Sequence, residues 1–236
     1  MGHVLGLLGG VASGKSTLAG LLAARGWVLL DADALARQAV ERPAIRAALA
    51  RRFGGDLFEA PEPPRADPQE APADAPLQPR SQPPRPPGPA PEHPAYEPSG
   101  PLNRPLLAQR AFADPTATAD LNAIVHPWVR QQLLAGLAGA GSRPVVLDVP
   151  LLLESPLAER VDTWLLVRAP ETAREARSEA RGWSPGERSR RESAQADLPA
   201  KARRADHVLE NSGTIEDLER RLDALLLKRG LPTPSA

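Results

Sequence analysis

Eight residues near the start of the chain, Gly9-Gly10-Val11-Ala12-Ser13-Gly14-Lys15-Ser16, fit the pattern G-x-x-x-x-G-K-[ST] without a mismatch. The pattern constrains the fold before it constrains the chemistry. Its glycines let a loop curl so that backbone N–H groups converge on phosphate oxygens. It works only between a strand and a helix, whose positive N-terminal end faces the same anion. Both flanks comply: the apolar run HVLGLLG (3–9) precedes the loop, and a helical pattern over 15–25 follows it. Lys15 can supply a point charge to the β- and γ-phosphates, and the Ser16 hydroxyl can ligate Mg²⁺. The stretch predicts a nucleoside triphosphate site and leaves the reaction open.

The rest of the chain alternates in the way such a loop requires. Further strand-like runs are WVLLDAD (27–33), PVVLDVP (144–150), DTWLLVRA (162–169) and DHVLEN (206–211). Helical patterns lie between and after them: DALARQAVER, PAIRAALARRF (43–53), NRPLLAQRAFA (103–113), residues 115–140, a charged run from Glu171 to Arg204, and residues 214–230. Near-continuous apolar strands alternating with helices predict an α/β fold with a parallel sheet covered on both faces. Ligands of such sheets bind beyond the C-terminal strand ends. With aromatics at 3% of the residues, the core must be mostly Leu, Val and Ala.

One segment breaks the alternation. From Ala60 to Pro101 the chain carries more than half of its 28 prolines and few apolar side chains. Proline removes backbone donors and disfavours helix at the preceding residue, so a disordered, partly polyproline II loop is expected. PPRPPGPAP could dock an SH3-like groove, but an inert linker or lineage-specific insertion is the favoured reading.

Composition excludes several classes. The formal net charge is zero, which gives no support to nucleic-acid or membrane-surface binding. The absence of cysteine removes disulfides, thiolate catalysis and Cys-type zinc sites. No apolar run approaches the roughly 20 residues that cross a bilayer, and no basic segment precedes the first strand. A cytoplasmic protein is expected. Neither D-x-x-G nor N/T-K-x-D occurs, which argues against a GTPase.

A small-molecule kinase needs an acceptor base, an arginine-rich lid and a purine loop. Asp33 in DADALARQ (31–38) can accept a hydroxyl proton beside the γ-phosphate, or merely cap the next helix. If the strand stays extended, Asp31 and Asp33 point the same way, so that one can cap and the other catalyse. The run from Arg174 to Arg204 suits a lid that offsets transition-state charge, or a solvated face of i,i+4 Glu–Arg pairs. The turn ENSG (210–213) can cradle a purine or simply turn the chain. VVLD, ending at Asp148, has the form of a Walker-B strand, which keeps a generic ATPase open.

Taken together and in order, GLLGGVASGKST, DADALARQ, FGGDLF (53–58), GPLNRPLLAQRAFADP (100–115), LNAIVHPWV (121–129), DVPLLLE (148–154) and RESAQADLPAKARRADHVLENSGT (191–214) resemble the dephospho-coenzyme A kinases. The resemblance implies a P-loop kinase with a five-stranded parallel sheet flanked by helices, a helical acceptor-binding region and a mobile lid. Its kinase domain would span 1–59 and 100–230, with a lid at about 174–204, a proline-rich insertion at 60–99 and a tail at 231–236. It implies ATP as co-substrate with Mg²⁺, dephospho-coenzyme A as acceptor, and a monomer, with a weak homo-oligomer as the alternative. Gly10 and Ala12 to Thr17 (Ala12, Ser13, Gly14, Lys15, Ser16, Thr17) would bind ATP phosphates, and Asn211, Ser212 and Gly213 the adenine. Asp33 would be the base, and Arg37, His126, Pro150, Leu151 and Glu154 would line the acceptor site. Arg181 and Arg191 are the lid candidates.

The chain also departs from the family. Leu8 stands where a hydroxyl residue is usual, and ARGWSPGE carries one residue fewer than the usual lid turn, so the register of Arg177 and Arg181 is open. ENSG replaces DNSG and keeps the charge. Another small-molecule kinase, or a regulatory ATPase acting through its proline-rich loop, are the rival readings.

Overall fold

The structure is a computed structural model that describes residues 2–58, 98–150, 152–184, 186–188, 192 and 198–233. Five strands form one parallel sheet: β1 (Val4–Gly9), β2 (Val28–Asp31), β3 (Val145–Asp148), β4 (Thr163–Arg168) and β5 (His207–Glu210), in the order β2-β3-β1-β4-β5. The fold expectation is met, and every apolar run picked out in the sequence contains its strand. β1 is central and buried along its whole length. Its C-terminal end lies where the strand order departs in both directions, to β3 on one side and β4 on the other, which is where open α/β sheets bind ligands.

The described residues divide into two compact units, one of residues 1–35 and 130–236 and the other of 36–129. The first holds the sheet. One face of that sheet, through Leu5, Leu7, Val146, Leu165, Val167 and Leu209, packs on Leu18 and Leu22 of α1 (Lys15–Ala24) and on Leu218, Leu222 and Leu226 of the C-terminal helix, Ile215–Arg229. Both helices end in the same way. The N–H of Trp27 returns to the Leu22 carbonyl and that of Leu231 to the Leu226 carbonyl, across Gly26 and Gly230, which have φ of 85° and 59°. Each closure folds a buried side chain, Trp27 or Leu231, back into the core.

The second unit is helical. It holds α3 (Pro43–Phe53), opened by its proline, and α4 (Arg104–Ala111), capped by Asn103, whose side chain accepts from Leu106 N–H at 3.0 Å. Two further helices run across the division of the chain: α2 (Ala32–Ala39) and α5 (Pro115–Gly139), which carries Pro127 in its interior. Phe58 and Leu102 form an antiparallel bridge, and the buried Arg46 donates to the Pro98 carbonyl at 3.1–3.2 Å and to the Gly100 carbonyl. The flanks of the proline-rich segment are thereby tied together, while its residues 60–97 lie outside the described residues. No described helix is long and apolar enough to cross a membrane.

The charged run contains α6 (Glu171–Glu179) and α7 (Leu198–Arg204), and the C-terminal helix is α8. Short 3-10 turns at Gly55–Leu57, Leu152–Glu154 and Pro156–Arg160 have no counterpart in the sequence reading. β2 also stops sooner than the apolar run suggested. The Asp31 carboxylate accepts the N–H of Ala34 at 2.9 Å, which starts a helix at Ala32 and takes Asp33 out of the extended chain.

Candidate active site

Every feature of the phosphate loop follows from its neighbours. Ala12 and Gly14 take φ of 60° and 95°, and this left-handed pair bends the chain back before α1. Gly14 has a second reason to lack a side chain, because a Cβ there would run into Asn211 Nδ2. A Cβ on Gly9 would stand 2.5 Å from Ser13 Oγ, and one on Gly10 would stand 2.9 Å from Arg174 Nη1. Ser13 is fully buried, and its hydroxyl has no hydrogen-bond partner among the described residues. With the unpaired N–H groups of the first turn of α1, that hydroxyl suits an anion. A cavity of about 200 Å³ lies beside Gly10 and Ser13. It is smaller than the roughly 300–1,000 Å³ usual for ligand pockets, so it is not a nucleotide site by itself.

The loop's outward carbonyls are held from three later elements. Arg177 of α6 donates to the Ala12 and Ser13 carbonyls at 3.4 and 3.2 Å, and to the Asn211 carbonyl and side-chain oxygen at 3.1 and 3.2 Å. Asn211, just past β5 and buried, donates its amide to the Ser13 carbonyl at 2.8 Å. Lys201 of α7, also buried, donates to the Gly9 carbonyl at 3.1 Å.

Acidic groups gather at the strand ends on the other side of β1. Lys15 pairs with Asp148, the last residue of β3, which is only 6% exposed. Asp148 is the register partner of Asp31 at the end of β2. The choice between Asp31 and Asp33 is therefore resolved for one of them: Asp31 caps α2, while Asp33 is exposed in that helix's first turn. Ser16 and Thr17 are exposed at the start of α1. Hard oxygen donors, the Ser16 hydroxyl and the Asp148 carboxylate, fit Mg²⁺, which needs only one or two protein ligands beside substrate phosphates. No group of three or more acidic or histidine side chains among the described residues forms a closed metal cage.

Other expected site residues are distributed as follows. Pro150 is exposed just past β3, and Glu154 is exposed at the end of the 3-10 turn, while Leu151 lies outside the described residues. Ser212 and Gly213 are exposed before α8. Arg37, exposed in α2, and His126, exposed in α5 just before Pro127, belong to the second unit. Arg181 lies past the end of α6 with its guanidinium 5.6 Å from the Trp183 ring centroid, and Arg191 lies outside the described residues. Among the described residues, Arg177 is the arginine that hydrogen-bonds to the phosphate loop.

The Glu–Arg interleaving also has a definite structure. Arg174 and Arg188 each pair with both Glu171 and Glu192, closing a four-membered ionic ring. Lys201 and this ring carry no sequence motif. They could be found only as charged residues in the run that otherwise reads as lid.

Similarity to known proteins points to one family. The family model described as dephospho-CoA kinase matches residues 3–61 and 93–217. A dephospho-CoA kinase of Anaeromyxobacter dehalogenans is 37% identical over 244 residues, covering 99% of this chain and 97% of its own. One of Deinococcus radiodurans is 37% identical over 226 residues, covering 94% and 90%. Among solved structures, TT1252 from Thermus thermophilus is similar with a TM-score of 0.68 at 34% identity, covering 96% of this chain and 97% of its own. A dephospho-CoA kinase from Campylobacter jejuni shares the fold at 15% identity, with a TM-score of 0.57 and 96% of each chain covered.

Proposed function

The chain belongs to the dephospho-CoA kinase family, and from that premise we propose that it phosphorylates the ribose 3′-hydroxyl of dephospho-coenzyme A with ATP, giving coenzyme A and ADP, the final step of coenzyme A biosynthesis. The observation that carries this reading is the family match on both sides of the proline-rich segment, over a phosphate loop with every motif residue in place.

The reaction forms a bond from the 3′-oxygen to the γ-phosphorus and breaks the bond from that phosphorus to the β–γ bridging oxygen, which leaves with its electron pair on ADP. Little covalent work falls to the protein; positioning and charge do most of it. Gly10 and the residues from Ala12 to Thr17 are assigned to the phosphates, chiefly through backbone N–H groups; that of Ser13 donates to the Gly10 carbonyl at 3.2 Å within the loop. Lys15 exchanges Asp148 for the β- and γ-phosphate oxygens, and Asp33 takes the proton of the attacking hydroxyl. Ser16 and Asp148 would hold Mg²⁺, which when bound neutralises charge on those phosphate oxygens. Arg37, His126, Pro150, Leu151 and Glu154 are assigned to the acceptor by the family's pattern, and Arg181 and Arg191 to closure over the phosphates. Ser212 and Gly213 are assigned to the adenine. Asn211, assigned to the adenine with them, is committed to the loop: its amide donates to the Ser13 carbonyl, its backbone and side-chain oxygens accept from Arg177, and its backbone N–H donates to the Arg168 carbonyl at 2.7 Å.

The test is ADP release from Mg·ATP with and without dephospho-coenzyme A, in wild type and Asp33→Asn. We expect strong stimulation by the acceptor and a kcat about 10²–10⁴-fold lower in the variant, with ATP affinity kept. ATP bound without acceptor stimulation would overturn the substrate, and full activity in the variant would overturn the base.

A further inference from the structure

We propose that Lys201 is a positioning residue for phosphoryl transfer: through the Gly9 carbonyl it fixes the start of the phosphate loop and backs it with a buried positive charge. The inference rests on the reading of that loop as a triphosphate cradle.

Lys201 sits on α7 and is 8% exposed, with its ammonium 3.1 Å from the Gly9 oxygen. Burying an ammonium is costly, and packing alone would be served better by an apolar side chain of similar volume. The position of its acceptor explains its use. Gly9 ends β1, and the peptide unit that carries its carbonyl also carries the N–H of Gly10, the first loop residue. A cation on the carbonyl fixes the plane of that peptide and polarises it, so that the N–H is oriented before any phosphate arrives. Gly10 is hemmed in by Arg174 Nη1, by Glu192 and by Leu198 of the same helix as Lys201, so the peptide has little room to rotate.

The same logic operates at the far end of the loop. Arg177 and Asn211 take the Ser13 carbonyl, whose peptide carries the N–H of Gly14. Two cations and one amide therefore hold the outward carbonyls at both ends of a loop whose inner face takes an anion. Their charges favour that anion without touching it, as preorganised dipoles and charges do at sites where negative charge gathers. Arg177 and Asn211 can also be reached from the sequence as lid and turn residues. Lys201 is identified only by its contact.

The experiment compares wild type with Lys201→Met, Lys201→Gln and Lys201→Arg. Calorimetry measures binding of ATP and of inorganic tripolyphosphate, circular dichroism checks the fold, and steady-state kinetics gives KM for each substrate. A residue acting on the loop should weaken ATP and tripolyphosphate by the same factor, about tenfold in Lys201→Met. It should raise KM for ATP while leaving KM for dephospho-coenzyme A unchanged, and Lys201→Arg should recover binding to within about threefold. Should Lys201→Met not fold, Lys201→Gln carries the same comparison. Tripolyphosphate bound as tightly by either folded variant as by wild type overturns the proposal. So does loss of the fold in both, which assigns Lys201 to stability alone. A wild type that shows no acceptor-stimulated turnover, yet loses tripolyphosphate binding in the variants, refutes the substrate and supports the role of Lys201.

Discussion

The side-chain amide of Asn211 donates to the carbonyl of Ser13 at 2.8 Å, joining the turn after the last strand to the phosphate loop after the first. The contact spans nearly the whole chain and makes Gly14 obligatory, since any side chain there meets the same amide. Asn211→Ala leaves the Ser13 carbonyl to Arg177 alone. A rise of about tenfold in KM for ATP is expected, as for one buried hydrogen bond lost. Asn211→Asp should be worse, because it sets an acceptor against an acceptor. Steady-state kinetics with ATP varied decides it, and an unchanged KM in both variants would refute the link.

The pairing of Lys15 with Asp148 makes two opposite demands on one carboxylate. It holds the lysine before the triphosphate binds, and in the proposed function the same buried carboxylate is assigned to Mg²⁺. Asp148→Asn should therefore leave ATP binding without Mg²⁺ at least as tight as in wild type, because Lys15 no longer has a competitor. Turnover with Mg²⁺ should fall by about 100-fold. Parallel titrations with and without Mg²⁺ test the pair, and a variant with normal Mg²⁺-dependent kcat would remove Asp148 from the site.

The fold was legible because its five strands are short apolar runs and its first loop is a motif, both local properties. Helix ends were legible where they have a chemical marker, as at Pro43, Asn103, Thr214 and Gly230. The site was legible only where chemistry is carried by spacing. Asp31 and Asp33 could not be ordered, because the choice depends on where β2 stops and α2 starts. The roles within the arginine run were hidden for another reason. Arg177, Arg174 and Lys201 differ only in which backbone groups of the distant first loop stand opposite them. That is fixed by how α6 and α7 return across the sheet.

Arg174 and Arg188 share Glu171 and Glu192, but the two acids are not equivalent. The Glu192 side chain is 27% exposed and that of Glu171 is 55% exposed, while Arg174 is buried against Gly10. Either change leaves the buried Arg174 half-paired, but the pair with Glu192 is the less solvated, so Glu192→Gln should cost about 1–3 kcal/mol and Glu171→Gln less. Urea unfolding of the two variants gives the order. Equal losses, or a larger loss in Glu171→Gln, would mean that the ring is a surface feature with no hold on the loop.

Arg25, which closes α1, grips Asp223 of α8 through two hydrogen bonds of 2.6 and 3.0 Å. The hydrogen bond from Arg25 holds the Asp223 carboxyl below its ordinary value, its charge adding to the effect against the opposing cost of burial. The unfolded chain keeps a pKa of about 3.9. The pair's contribution is then complete above that value, and it is lost as pH falls through the lower folded one. The Asp223 side chain is 58% exposed and water screens the pair, so the contribution is at most about 0.5 kcal/mol, or roughly 1–2 °C in Tm. Wild type should melt above Asp223→Asn by that margin at pH 6 and in low salt. The gap should close progressively below pH 4, where wild type gains a proton that the variant cannot take up. A gap that stays constant down to pH 3 would mean that the Asp223 charge contributes nothing to the seam between α1 and α8.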